Sequence, residues 1–146
     1  MNVLLLNGPN LNLLGEREPE IYGSTTLVQL EHLVVAHAEE LGAKVRAYQS
    51  NHEGVLIDRL QEWRRWAHGC IFNPGGFTHY SYALRDAVCA MPQVKVVEVH
   101  LSDLSKREPW RQKSVLEDVV AHRIQGKGVA GYLEAMEWLA ANARPR

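Results

Sequence analysis

Residues 3–10, Val3-Leu4-Leu5-Leu6-Asn7-Gly8-Pro9-Asn10, decide the fold. Four apolar residues stand in a row, without polar alternation and too few for a helix. Such a run reads as a strand buried on both faces, the central strand of a parallel sheet. Asn7-Gly8-Pro9 ends it and opens a long loop, N-G-P-N-L-N-L-L-G-E-R-E-P-E-I-Y, over residues 7–22. A loop of that length in a compact domain is functional or disordered. Leu11, Leu13, Leu14, Ile21 and Tyr22 argue for order, because they are costly to leave in water. The expectation is an active-site loop presenting polar groups at a strand end.

Outward from this point, strands and helices alternate. Ser24-Thr25-Thr26 offers caps for a first helix whose inward residues are Leu27, Leu30, Leu33, Val34 and Leu41, with Gly42 as its stop. Lys44 to Ser50 reads as a strand near the sheet edge, and Glu53 to about Ala67 as a second helix. Cys70-Ile71-Phe72 is a third, buried strand, broken by Asn73-Pro74-Gly75-Gly76. Tyr80 to about Met91 is the next helix, Val94 to Val99 the fourth strand, Val119 to Ile124 a fifth, edge strand, and Tyr132 to Ala141 the last helix. The tail, Asn142 to Arg146, is expected to fray. Five repeats of this alternation predict an α/β fold with helices on both faces of a parallel sheet. At 146 residues the leading topology is flavodoxin-like, strand order 2-1-3-4-5, as one domain over 1–146.

Composition narrows the function. Net charge is -1, which gives no global case for nucleic-acid or anionic-membrane binding. No apolar run approaches the roughly 18 residues of a membrane span. The amino terminus has no basic segment and too short an apolar run for a secretory signal. Cys70 and Cys89, far apart and in apolar surroundings, read as buried small hydrophobes in a reducing cytosol. No H-x-x-x-H or C-x-x-C supports a metal site. Gly126-Lys127-Gly128-Val129-Ala130-Gly131 matches G-x-G-x-x-G, but it follows the last strand, and too little chain follows to supply a ribose ligand. Tight helix–strand packing is the role expected of it.

In such sheets ligands bind beyond the carboxyl ends of the strands, where the strand order reverses. The junctions after strands 1, 3 and 4 should therefore converge. Together they pool Asn10, Asn12, Arg17, Tyr22, Asn73, His79, His100, Ser102, Arg107 and Arg111. Two candidate proton-transfer groups, Tyr22 and His100, stand among cations and neutral donors. That inventory suits a small, anionic, polyhydroxylated substrate. A phenol with an ordinary pKa near 10 needs a neighbouring cation to act as base at neutral pH, and Arg17 is close in sequence.

Five motifs in order resemble the type II 3-dehydroquinate dehydratases. They are L-N-G-P-N-L-N-L-L-G-E-R-E-P-E-I-Y-G, Q-S-N-H-E-G, N-P-G-G-F-T-H-Y-S-Y-A-L-R-D-A, E-V-H-L-S and the late G-x-G-x-x-G-Y. The resemblance covers nearly the whole chain. It implies a flavodoxin-like fold and a cytoplasmic, cofactor-free lyase of the shikimate or quinate pathway, converting 3-dehydroquinate to 3-dehydroshikimate through an enolate. By motif position it makes Tyr22 the base at C2, with Arg17 stabilising its tyrosinate. Asn10, through an ordered water, would stabilise the enolate. His100 would be the acid, oriented by Glu98. Asn73, Leu101, Ser102 and Arg111 would bind hydroxyls and carboxylate, with His79 beside them. Asp86 matches a position that reaches a neighbouring subunit's site, and the implied assembly is a dodecamer, a tetramer of trimers. Residues 16–23 would form a lid that carries the base. The chain departs from the family pattern at Asp103, Ser105, Gln112 and Lys113, and V-V-A-H-R-I-Q over 119–125 is more polar than the family's usual apolar strand. The rival reading is a non-catalytic flavodoxin-like binding or assembly protein.

Overall fold

The structure, a computed structural model, describes residues 1–143 and Pro145. Five parallel strands form one sheet in the order β2-β1-β3-β4-β5. They are β1 (Asn2–Asn7), β2 (Lys44–Gln49), β3 (Gly69–Asn73), β4 (Lys95–His100) and β5 (His122–Gln125). The helices are α1 (Pro19–Tyr22), α2 (Leu27–Glu40), α3 (Glu53–Trp63), α4 (Tyr82–Cys89) and α5 (Ala130–Asn142). The expected flavodoxin-like arrangement is observed.

The unalternating run in β1 has a two-sided use. Val3 and Leu5 join one core with Leu30 and Val34 of α2 and Tyr132, Met136 and Leu139 of α5. Leu4 and Leu6 join the other core with Leu56 and Leu60 of α3 and Leu84 and Val88 of α4. All four are at most 1% exposed. Full burial of each contributes roughly 1.5–3 kcal/mol, so neither face of β1 tolerates a polar residue.

Local chemistry sets most helix ends. Thr26 accepts the Gln29 N–H at 3.2 Å and Gln29 Oε1 accepts the Thr26 N–H at 3.0 Å, a reciprocal cap that starts α2. Gly42, at φ 71°, ends it, and the Ala43 N–H reaches back to the Ala38 carbonyl. Ser81 caps α4 through the Leu84 N–H.

Several boundaries and burials differ from expectation. Leu33 and Leu41 are exposed, and Ala38 takes the inward place on α2. The second helix stops at Trp63, four residues early, where Trp63 stacks on Tyr48 and lies under Arg46. β5 begins only at His122; Val119 and Val120 pack on the core from a turn. Cys70 is buried as expected, but Cys89, the last residue of α4, is exposed, because it falls on the helix face turned from the sheet. The tail does not fray from Asn142: that residue closes α5, and Ala143 is 5% exposed in the core. Arg144 and Arg146, also in that expected tail, lie outside the described residues. Among the described residues no helix is long and apolar enough to cross a membrane.

Of the late glycines, Gly131 has the helix–strand packing role expected, whereas Gly126 and Gly128 serve left-handed turn positions. A Cβ on Gly131 would stand 3.3 Å from Ile124, and Gly126 and Gly128 hold φ of 78° and 57°. The strand ends are locked together by Gly8. Its N–H donates to the Asn73 carbonyl at 2.8 Å, and a Cβ there would meet the Pro74 carbonyl oxygen at 2.5 Å. Backbone cannot yield as a side-chain tip does. Gly8→Ala is therefore expected to cost about 1–3 kcal/mol, read as a fall in thermal midpoint.

Candidate active site

β1, β3 and β4 end in Asn7, Asn73 and His100. Asn7 is in register with Asn73, and Phe72 with Glu98, so the three ends lie side by side where the strand order reverses. Beyond them opens a cavity of about 460 Å³. Its wall includes Asn10, Arg17, Tyr22, Asn73, His79, His100, Leu101, Ser102 and Arg111. Of the expected site residues Asn12, Glu98 and Asp86 are not on that wall. Glu98 lies behind His100. Asp86 is exposed on α4, away from the cavity.

Glu98 has no solvent exposure, yet its carboxylate is fully engaged. Oε1 accepts from Ser114 Oγ at 2.7 Å, and Oε2 accepts from Thr78 Oγ1 at 2.8 Å and from His100 Nε2 at 2.5 Å. Burial pushes its pKa up, but the hydrogen bonds and charge of His100, with Ser114 and Thr78, outweigh burial and hold it below the ordinary 4.5. Glu98 is thus an anion. It holds a proton on His100 Nε2 and leaves Nδ1 as the nitrogen for a ligand.

Tyr22, at the end of α1, lies between two guanidinium groups. Arg107 Nη1 donates to the Tyr22 hydroxyl at 3.2 Å and to Ser102 Oγ at 3.1 Å. Arg17 instead lies over the ring, its Cζ 5.1 Å from the centroid. The sequence reading gave the cation's role to Arg17 and left Arg107 among the pooled charges. Which arginine reaches the oxygen depends on the short 3-10 turns at Leu104–Lys106 and Pro109–Arg111, and these leave little trace in the sequence.

The floor is rigid. Tyr132, wholly buried, donates to Asn7 Oδ1 at 2.7 Å and accepts from Asn73 Nδ2 at 2.8 Å. Asn73 Oδ1 in turn accepts the Gly75 N–H at 3.0 Å. Asn73 therefore reaches the cavity with much of its amide already committed to the protein. His79 Nδ1 lies 2.8 Å from the Lys113 carbonyl, so Nδ1 donates and Nε2 is an acceptor. Burial, chiefly, keeps its pKa below the ordinary 6.5, and the positive Arg111 and His100 add to this. Arg111 pairs with Glu108 at 2.5 Å and lies over Trp110, its Cζ 4.1 Å from the ring. Asn10 holds φ 68°, and its N–H donates to Asn51 Oδ1 at 3.0 Å. Gln49 supports both Asn51 Oδ1 and the Gly8 carbonyl.

Sequence reasoning missed Asn51 and Trp110 on the wall and Thr78, Ser114 and Tyr132 behind it. The polar Asn51 beside a strand end, and the tyrosine directly after the glycine motif, were the available signs. Among the described residues no group of three or more His, Cys, Asp or Glu is placed to hold a metal ion.

The dehydroquinase class II family model matches residues 1–140. This chain belongs to the class II dehydroquinase family. It is 51% identical over 145 residues to a catabolic 3-dehydroquinase of Aspergillus clavatus, covering 99% of this chain and 96% of that one. It is 56% identical over 129 residues to a 3-dehydroquinate dehydratase of Anoxybacillus flavithermus, covering 88% and 86%. The crystal structure of the type II dehydroquinase from Butyrivibrio crossotus superposes with a TM-score of 0.93 at 43% identity, covering 95% of this chain and 97% of that one.

The Glu98 pair has a pH signature. Its folded pKa lies below 4.5, so the unfolded chain binds the more protons as pH falls past that value. The stabilisation is complete above 4.5 and is lost as pH drops through the folded pKa. Glu98→Gln is expected to lower stability by about 3 kcal/mol at pH 7, because it removes the anion around which the donors of Thr78, Ser114 and His100 are buried. The gap to the wild-type protein should narrow in melts run below pH 4.5.

Proposed function

We propose that this chain, as one catalytic domain over 1–146, removes water from 3-dehydroquinate by anti elimination to give 3-dehydroshikimate. The observation that carries the reading is the pairing on one cavity of a Tyr22 hydroxyl held by Arg107 and a His100 imidazole held by Glu98. Family membership supplies the substrate.

The geometry supports a division of labour. Tyr22, as phenolate, takes the proton from C2, α to the carbonyl. The charges of Arg107 and Arg17 stabilise that phenolate. The electron pair moves onto the carbonyl oxygen as an enolate, and Asn10, fixed by its backbone bond to Asn51, holds an ordered water against that oxygen. The enolate then collapses, the C1–O bond breaks, and His100 delivers its proton so that water departs. Glu98 stabilises the imidazolium before that transfer. Arg111, Ser102 and the backbone at Leu101 bind carboxylate, while Asn73 and the acceptor Nε2 of His79 take hydroxyls. No step calls for a cofactor.

Residues 16–23 form the lid. Gly15 and Gly23, at φ 88° and 81°, bound it, and Glu18 adds a third left-handed position at φ 40°. Such positions mark a segment whose backbone reverses sharply at both ends, as hinges do. Exposed Asp86 on α4 reaches toward a neighbouring copy in a dodecamer built from trimers. The working compartment is the cytoplasm, and the reaction is the same whether quinate is degraded or shikimate is made.

Conversion of 3-dehydroquinate, followed by absorbance of the conjugated enone, is the deciding assay. No turnover by folded protein would leave the binding-protein alternative. Tyr22→Phe is expected to lower kcat by at least about 10³-fold with binding retained, and Arg107→Met by about 10²-fold. Borohydride with substrate should leave activity intact; a covalent adduct would point to a Schiff base. Light scattering checks the assembly, and a monomer would remove Asp86 from the site.

A further inference from the structure

Glu98 is served from a side that the cavity does not reach. Arg123 stands directly opposite it, in register on β5. Its Nε lies 3.5 Å from Glu98 Oε2, and its Nη1 lies 3.5 Å from Glu117 Oε1. The side chain is only 18% exposed, and among the described residues Nε and Nη2 are buried without a hydrogen-bond partner. An arginine held there forfeits hydration and gains no well-formed hydrogen bond from Glu98. What it places beside the carboxylate is charge.

That charge matters at one moment of the reaction. While His100 is protonated, the buried carboxylate is neutralised by the imidazolium. When His100 gives its proton to the departing hydroxyl, Glu98 would be left as an uncompensated buried anion, a costly state. Such a pair would grip its proton and be a poor acid. A second, permanent cation on the same oxygen removes the cost.

We propose that Arg123 is a positioning residue for the dehydration, a fixed countercharge that keeps Glu98 anionic and in place while His100 releases its proton. This rests on the assignment of His100 as the acid. Arg123 lines no part of the cavity and touches no substrate. The other charged or titratable groups around the pair are His79 and Arg111 on the cavity side and Glu117 on the outer side of Arg123. None of them is altered in the test.

The test compares Arg123→Gln, Arg123→Met and Arg123→Lys with the wild-type enzyme. Without the countercharge His100 keeps its proton longer. For Gln and Met, kcat at pH 7 is expected to fall about tenfold. KM should stay within about twofold, and the basic limb of the kcat profile should move up by about half a pH unit. Lys should restore both. A purely structural arginine would lower thermal stability and leave the limb in place. Unchanged kcat and limb in the Gln and Met variants, or a Lys variant that behaves like them, would overturn the proposal. The His100 imidazole is titrated in parallel by NMR, with His100→Asn to assign its resonance. That readout needs no turnover, so it decides on Arg123 even if the wild-type enzyme fails to dehydrate 3-dehydroquinate, a result that would refute the function instead. Should Gln fail to fold, Met keeps the unbranched stem and carries the test.

Discussion

A single carboxylate without solvent contact organises the β4 side of the cavity. Burying Glu98 would be prohibitive if its oxygens were not met from several directions. Thr78 arrives from the turn after β3, Ser114 from the segment after β4, His100 from β4 itself and Arg123 from β5. Each of these partners, three donors and one countercharge, comes from a different part of the chain, so their meeting requires β3, β4 and β5 to be correctly paired. The anion thereby converts strand register into the position and tautomer of one imidazole.

The Tyr22 side of the cavity is built on another logic. Tyr22 belongs to a four-residue helix in the opening loop, and among the described residues its hydroxyl has one hydrogen-bond partner, Arg107. Arg107 also holds Ser102, next but one to His100. One guanidinium thus links the loop after β1 to the loop after β4. Beneath both halves, Asn7, Tyr132 and Asn73 tie β1, β3 and α5 into a floor that has no room to shift.

The fold was readable because its central strands β1 and β3 are short apolar runs ending in Asn, Gly and Pro, and α2 and α4 carry clear caps. Val3 to Leu6 alone pointed to a two-faced core. The cavity wall was readable for a related reason: polar residues that stand directly after buried strands have one place to go. What the sequence hid was of two kinds. Thr78 and Ser114 are ordinary residues whose importance comes only from what lies opposite them. Arg107 and Arg17 are alike as charges, and tertiary geometry alone decides that the former reaches the phenol oxygen. Val119 and Val120 have strand-forming side chains but sit in a turn, because their own N–H groups are spent on the Leu116 carbonyl. Cys89 looked buried by composition and is not, because the face of a helix, rather than its neighbours in sequence, sets exposure.

The unequal anchoring of the two halves gives them unequal local stability. Losing the Glu98–His100 geometry means separating β3, β4 and β5, an opening that costs nearly the whole free energy of the fold. Losing the Tyr22 geometry means releasing one hydrogen bond and turning about two glycines, an opening available at any moment to the intact protein. The short helix that carries Tyr22 therefore opens more readily than the sheet that carries Glu98 and His100. A mild stress that spares the sheet displaces one edge of the cavity and leaves the rest of its wall standing, and the cavity is whole again as soon as that helix settles back.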